Sequence, residues 1–331
     1  MVRTGAHVYI KYGWEGTTYG VLDASTSPAQ TADKKFGLQD KMSSLTLTNN
    51  KVNLSKLNQN TVDKYAYGQQ QGSASMSFTL SSPWIIGSIL GTPTVATSGS
   101  NYTHTYPQSS GLPKTARTIQ VEVGYDGLSA DIVRTLKGGI VGSLSISASV
   151  GGLVDCSSDI TYGIETAPST TLTSAPSKPS QEFPYTFAHA SLVFNGSSAS
   201  DTVAQCQDVS ISLAQNAELL YGLGSHSGAA AYKRVLDITG SFKASWINKD
   251  LLDKLLAQIA ATPDETLGGS YEFILTFEKS ATEKMVITLS GLTINDLGIS
   301  GLEPVEPVFE DISWTAKTIS VVATNSSSVE Q

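Results

Sequence analysis

Ser75-Met76-Ser77-Phe78-Thr79-Leu80 alternates hydroxyl and apolar side chains. Beginning 166 positions later, Ser241-Phe242-Lys243-Ala244-Ser245-Trp246 alternates in the same phase. A period of two places one set of side chains on each face of a β-strand. The match extends outward without a gap, over residues 42–90 and 208–256. An earlier strand, Ser44-Leu45-Thr46-Leu47, answers to Ser210-Ile211-Ser212-Leu213. Both copies then turn at an asparagine, Asn50 and Asn216. After the second strand come short apolar helices that set Ile85, Ile86, Ile89 and Leu90 against Leu251, Leu252, Leu255 and Leu256. Pro83 takes the first helical position behind a capping Ser82, and Asn248 precedes Leu251 of the second helix.

The flanks of each copy also correspond. Ala6-His7-Val8-Tyr9-Ile10 parallels Ala188-His189-Ala190-Ser191-Leu192 at an offset of 182. Gly139-Ile140 parallels Gly291-Leu292, and Asp159-Ile160-Thr161-Tyr162 parallels Asp311-Ile312-Ser313-Trp314, both at 152. The first copy therefore carries an extra Gly/Ser/Thr/Ala-rich loop within residues 15–41. Between the copies, residues 165–184 hold Pro168, Pro176, Pro179 and Pro184 among Ser and Thr, the composition of an extended strap. The expected organisation is a first unit at 1–164, a strap at 165–184, a second unit at 185–323 and a loose tail at 324–331. Each unit reads as mainly antiparallel β with one flanking helix, which is an α+β class.

A chain of 331 residues accommodates two such units, and 40 % hydrophobic content with regular alternation excludes a disordered chain. The net charge of −8 is uneven. Residues 1–181 carry 13 Lys/Arg against 11 Asp/Glu, and residues 182–331 carry 8 against 18. The sequence has no basic cluster of the kind that grips nucleic acid, which argues against sequence-specific binding. Cys156 and Cys206 belong to no CxxC pair, so a reducing compartment is the simpler expectation. No apolar run reaches the ~20 residues of a membrane span, and the first dozen residues lack a signal-peptide core.

Catalytic patterns are missing as well. His7, His104, His189 and His226 have no second ligand at metal spacing. The glycines of residues 222–228 lack the order of a phosphate loop, and no GxSxG elbow appears. Glu303 and Glu306 stand in a proline-broken stretch that reads as a loop or strand edge. The expectation is no enzyme, no metal and no cofactor.

The polar strand faces are the better clue. Ser143, Ser145, Ser147 and Ser149 line one face of an alternating strand, as do Ser73, Ser75, Ser77 and Thr79. Exposed sheets usually carry Lys, Glu and Arg there. Small neutral hydroxyls suit either an ordinary solvated face or the wall of a wide water-filled lumen. The candidate lumen residues are Ser44, Thr46, Ser73, Ser75, Ser77, Thr79, Ser210, Ser212, Ser241, Lys243 and Ser245.

Three stretches, residues 72–91, 136–147 and 207–225, resemble tail tube proteins of tailed phages and related archaeal viruses. The resemblance implies β-sandwich or barrel-like units whose inner sheets join those of neighbours into a tube for DNA delivery. It implies a virion protein assembled in the host cytoplasm. Its partners would be further copies of itself and other tail proteins, with DNA passing through the lumen unbound and no membrane involved. Six-fold rings are common in that family, so a duplicated unit implies a trimer with pseudo-six-fold symmetry. The competing expectation is a two-domain surface-binding module or adhesin.

Overall fold

The structure is a computed structural model. It describes residues 8–25, 30–54, 64–107, 116–126, 131–173, 176, 183–195, 200–202, 206–245, 253, 256, 271–301, 303 and 307–328. Eleven strands come from the first half. They are β1 (Val8–Trp14), β2 (Leu38–Asn49), β3 (Val52–Leu54), β4 (Lys64–Ala66), β5 (Gln70–Thr79), β6 (Thr94–Ser98), β7 (Asn101–Thr105), β8 (Ile119–Tyr125), β9 (Ile132–Ser149), β10 (Val154–Tyr162) and β11 (Ile164–Glu165). The second half adds β12 (Ala190–Asn195), β13 (Ser200–Thr202), β14 (Cys206–Ala214), β15 (Glu218–Tyr221), β16 (Gly228–Tyr232), β17 (Asp237–Ser245), β18 (Glu272–Ser280), β19 (Glu283–Ser290), β20 (Thr293–Ser300), β21 (Phe309–Ala316) and β22 (Thr318–Asn325).

One sheet crosses both halves in the order β2-β5-β10-β9-β14-β17-β21-β20. The first four strands come from the first half and the last four from the second. The pairing repeats as well as the order: Ser44 stands opposite Ser75, and Ser210 opposite Ser241, each residue 166 further on. β9 and β14 form the seam between the halves, with Ser147 opposite Ser210 and Ile146 opposite Ile211. All pairings along this path are antiparallel, and among the described residues no sheet closes into a barrel.

A second layer covers the apolar face. In the first half, β1 pairs with β8, and β8 with the N-terminal part of β9. In the second half the layer runs β13-β12-β18-β19-β22, and the hairpin β7-β6 of the first half adds to its far edge. Here too the registers repeat. Tyr12 faces Val121 as Phe194 faces Phe273, at offsets of 182 and 152. The strand that leaves the outer layer for the inner one bends at a glycine with positive φ in both halves, Gly138 (66°) and Gly291 (69°). Only glycine adopts that conformation without a steric penalty. A few residues later each inner strand skips a partner at a bulge, at residue 142 and at residue 295. These features align β9 with β20 at an offset of 153 and β10 with β21 at 154. The 152 read from Gly139/Gly291 and Asp159/Asp311 is short by one and two residues.

The layers meet in one hydrophobic cluster shared by both halves. Tyr12 packs on Phe36, and Phe36 on Phe78, at ring separations of 4.6 and 6.0 Å. In the second half, Phe273 lies edge-on to Phe242 and Trp314, at 5.0 and 5.6 Å. Such edge-to-face pairs add to the burial of their area.

Trp84–Ile86 forms a single 3-10 turn that runs into α1 (Gly87–Leu90), and all seven residues are buried. Pro83 occupies the N-cap itself, so Ser82 contributes no side-chain cap. The second apolar helix, expected around residues 251–256, lies outside the described residues except for positions 253 and 256. The segment expected as a strap is tied down at Ser169 and, just beyond its end, at Tyr185. Ser169 exchanges main-chain hydrogen bonds with Val133, and Tyr185 bonds to both Leu80 and Val154. β22 runs through Asn325, and the Ser327 carbonyl meets His104 Nε2 at 2.8 Å.

Candidate functional site

The candidate site is the outward face of the eight-strand path. Because strand partners share a face, the registers let one row of side chains be followed across the sheet. It reads Lys41, Ser77, Ser157, Ser145, Ser212, Thr239, Thr315, Thr293. Seven successive strands therefore present a hydroxyl in one line. The neighbouring row reads Thr79, Asp155, Ser147, Ser210, Ser241, Ser313, Asp296.

All eleven residues singled out in the sequence lie on β2, β5, β14 or β17 and on this face. Ser44, Thr46, Ser73, Ser75, Ser77, Ser210, Ser212, Ser241, Lys243 and Ser245 are exposed or half-buried. Thr79 is only 2 % exposed, and its hydroxyl donates to Asp155 Oδ1 at 3.2 Å. The structure adds β10, β21 and β20 to the face, none of which the sequence reading included. It also adds the carboxylates of Asp155, Asp159, Asp208, Asp237, Asp296 and Asp311, beside the cations Lys41 and Lys243 on the same face. Alternation could have found β10, since Asp155, Ser157, Asp159 and Thr161 are spaced by two. The aspartates hid the polar stripe from a search for serine.

Hydroxyls donate to three of these six carboxylates, Asp155, Asp159 and Asp311. Asp159 accepts from Ser75 at 2.7 Å and from Ser143 at 2.8 Å, on the two flanking strands. Asp311 accepts from Ser300 at 2.9 Å, while Lys243 Nζ stands 3.8 Å away and lies over the Phe309 ring. Elsewhere the hydroxyls pair with one another, Thr46 with Ser73 at 2.7 Å and Ser210 with Ser241 at 2.8 Å. The face thus has its own hydrogen-bond partners, a net negative charge and few cations. A polyanion meeting it finds little to hold, because phosphate affinity comes from Lys and Arg that displace counterions.

The remaining polar chemistry is structural. Glu15 is buried, and its carboxylate accepts from the amides of Gly20 and Gly138, tying the loop after β1 to the bend in β9. Arg134 holds Glu165 through two bonds of 2.5 and 2.8 Å. Burial pushes the Cys206 thiol up to about 11, with Asp208 adding to the effect, so it is no ready nucleophile. Among the described residues, no three His, Cys, Asp or Glu side chains gather where they could share a metal ion. No helix among them is long and apolar enough to cross a membrane.

The fold and site define a mainly antiparallel β protein of two layers with a hydroxyl-lined, acidic solvent face. The phage tail tube protein family matches residues 5–316, nearly the whole sequence, and the chain belongs to that family. No curated protein matches it.

Proposed function

We propose that the chain polymerises as stacked rings into a tail tube, with the eight-strand hydroxyl face as the wall of the channel through which DNA leaves the virion. One observation carries this reading: the inner strands of the two halves lie side by side in one sheet and in the same order. A unit that joins its own duplicate edge to edge is built to join further copies in the same way. The division into units at 1–164 and 185–323, linked by the strap, belongs to the same proposal.

Geometry favours three chains per ring. Eight strands per chain give three chains 24 strands and six chains 48. With strands about 4.8 Å apart and tilted about 40°, 24 strands close at roughly 50 Å across and 48 at roughly 100 Å. The smaller bore admits a DNA duplex with a jacket of water, and the larger is a loose fit. A hexamer of full-length chains with one half inside the tube and the other decorating its exterior would need the halves in separate layers, whereas they share one sheet. Unlike halves would alternate around such a trimer, which keeps the acidic second halves apart. Assembly in the host cytoplasm and contact with other tail proteins complete the proposal. Negative-stain microscopy of the purified protein tests it: rings or tubes support it, and dispersed single chains contradict it.

A further inference from the structure

We infer that the contact between chains is the internal seam repeated, with the β2 edge of one chain pairing antiparallel to the β20 edge of a second copy, Ser44 opposite Ser300. The inference rests on the ring reading and adds the interface itself. Within the chain, β14 pairs with β9. β2 is the counterpart of β14 and β20 that of β9, at the offsets of 166 and 153 established by registers, glycines and bulges. β2 and β20 also stand at the two ends of the sheet path, where neither has a second partner among the described residues.

Carrying the seam register across places Leu45 opposite Ile299, Thr46 opposite Gly298 and Leu47 opposite Leu297. The internal pairs they copy are Ile211 with Ile146, Ser212 with Ser145 and Leu213 with Leu144. Nothing in the transfer required apolar residues to meet apolar ones, yet both core-side pairs do. Leu47 is 46 % exposed in the single chain, and Leu297 and Ile299 are half-buried. A slip of one residue would turn Leu47 to the channel side, so the apolar pattern fixes the register to that extent.

A second feature of the seam points to the same partner. The hairpin β15-β16 of the second half lies across the first half. Tyr221 Oη donates to the Gln70 carbonyl at 2.8 Å, the Gly228 amide to Gly163 at 3.0 Å, and the buried Lys233 to Ile89 at 2.5 Å. Its counterpart 166 residues earlier is β3-β4, and among the described residues β3 and β4 pair only with each other. That hairpin shows Val52, Leu54 and Tyr65 to solvent at 57, 48 and 56 %. In the assembled ring it lies across the second half of the neighbouring copy, as β15-β16 lies across the first half here.

Cysteine pairs read the register directly, since facing residues of antiparallel strands have Cβ atoms about 5 Å apart. In a Cys206→Ser background, Ser44→Cys and Ser300→Cys variants are mixed in equal amounts, assembled and mildly oxidised. Thr46→Cys with Gly298→Cys is a second in-register pair, and a Cβ at Gly298 meets nothing closer than 3.8 Å. Thr46→Cys with Ser300→Cys is a pair out of register by two. The expected result is disulfide-linked dimers from both in-register pairs, at least tenfold above the slipped pair. Rings or tubes in the microscope with cross-links only from the slipped pair, or from none, overturn the inference and leave the ring reading standing. Failure of the unmodified protein to form rings or tubes overturns both.

Discussion

Gly72 is a position where a single methyl group damages the inner sheet. It faces Tyr162 across the β5/β10 pair, and an added Cβ would lie 2.0 Å from Cζ and 2.4 Å from both Cε atoms of that ring. The ring cannot retreat cheaply. Tyr162 is fully buried, and its hydroxyl sits 2.9 Å from both the Thr46 carbonyl and Glu165 Oε2. Arg134 in turn fixes Glu165 with two bonds. Gly72→Ala must therefore strain the core, at about 1–3 kcal/mol, and pull the hydroxyl from its partners, at about 1 kcal/mol more. The expected loss is about 3 kcal/mol, a large part of the stability of an ordinary domain. Urea unfolding of dilute protein, followed by tryptophan fluorescence, measures it. Because the clash is with one ring, Gly72→Ala should cost within about 0.5 kcal/mol of nothing when Tyr162→Leu is already present. An equal cost in both backgrounds would refute the reasoning.

The channel face yields a functional prediction: Ser145→Lys with Ser241→Lys leaves the chain folded, since both side chains face solvent, but slows DNA release several-fold and makes it sensitive to salt. Ejection kinetics that match the parent virion at low and high salt would remove the channel assignment from this face. Lys233 is 5 % exposed and donates to the Ile89 carbonyl, and desolvation, with Arg117 nearby, lowers its pKa from 10.5 to about 8. Between those values the unfolded chain holds a proton that the folded chain has lost. Stability from this group therefore rises with pH across that window, by about 3 kcal/mol in all. Relative to Lys233→Met, the parent protein should gain unfolding free energy from pH 8 to 10.5, and a constant difference would contradict the burial of a charged amine. Cys206, with its thiol raised to about 11, should react with iodoacetamide at pH 7.5 at least tenfold more slowly than a free thiol.

Much of the sheet could be read in the sequence because alternation is a local signal. Ser44-Leu45-Thr46-Leu47 and Ser210-Ile211-Ser212-Leu213 declare which side chains share a face, and their shared offset of 166 reappears in the strand registers. Finer alignment was not legible. A period of two looks the same after a slip of two residues, and Asp159 and Asp311 invite that slip, whereas the bulges and the positive φ of Gly138 and Gly291 resolve it. Non-local facts left no local trace. That β9 changes layers midway, that β6-β7 completes the other half's outer sheet, and that β9 meets β14 depend on contacts between distant residues. The acidic component of the site was missed for a chemical reason. Asp155 and Asp159 alternate like the serines, but their place on the hydroxyl face follows only from pairing with Thr79, Ser75 and Ser143.

The mass of a single ring tests the central claim most directly. Three chains of 34.9 kDa make a ring of about 105 kDa, and six make about 209 kDa. Native mass spectrometry of rings released from short tubes, or mass photometry of isolated rings, separates these values easily. The continuous eight-strand sheet predicts the lighter ring, three chains closing a 24-strand wall with pseudo-six-fold symmetry. A ring of six full-length chains would contradict it.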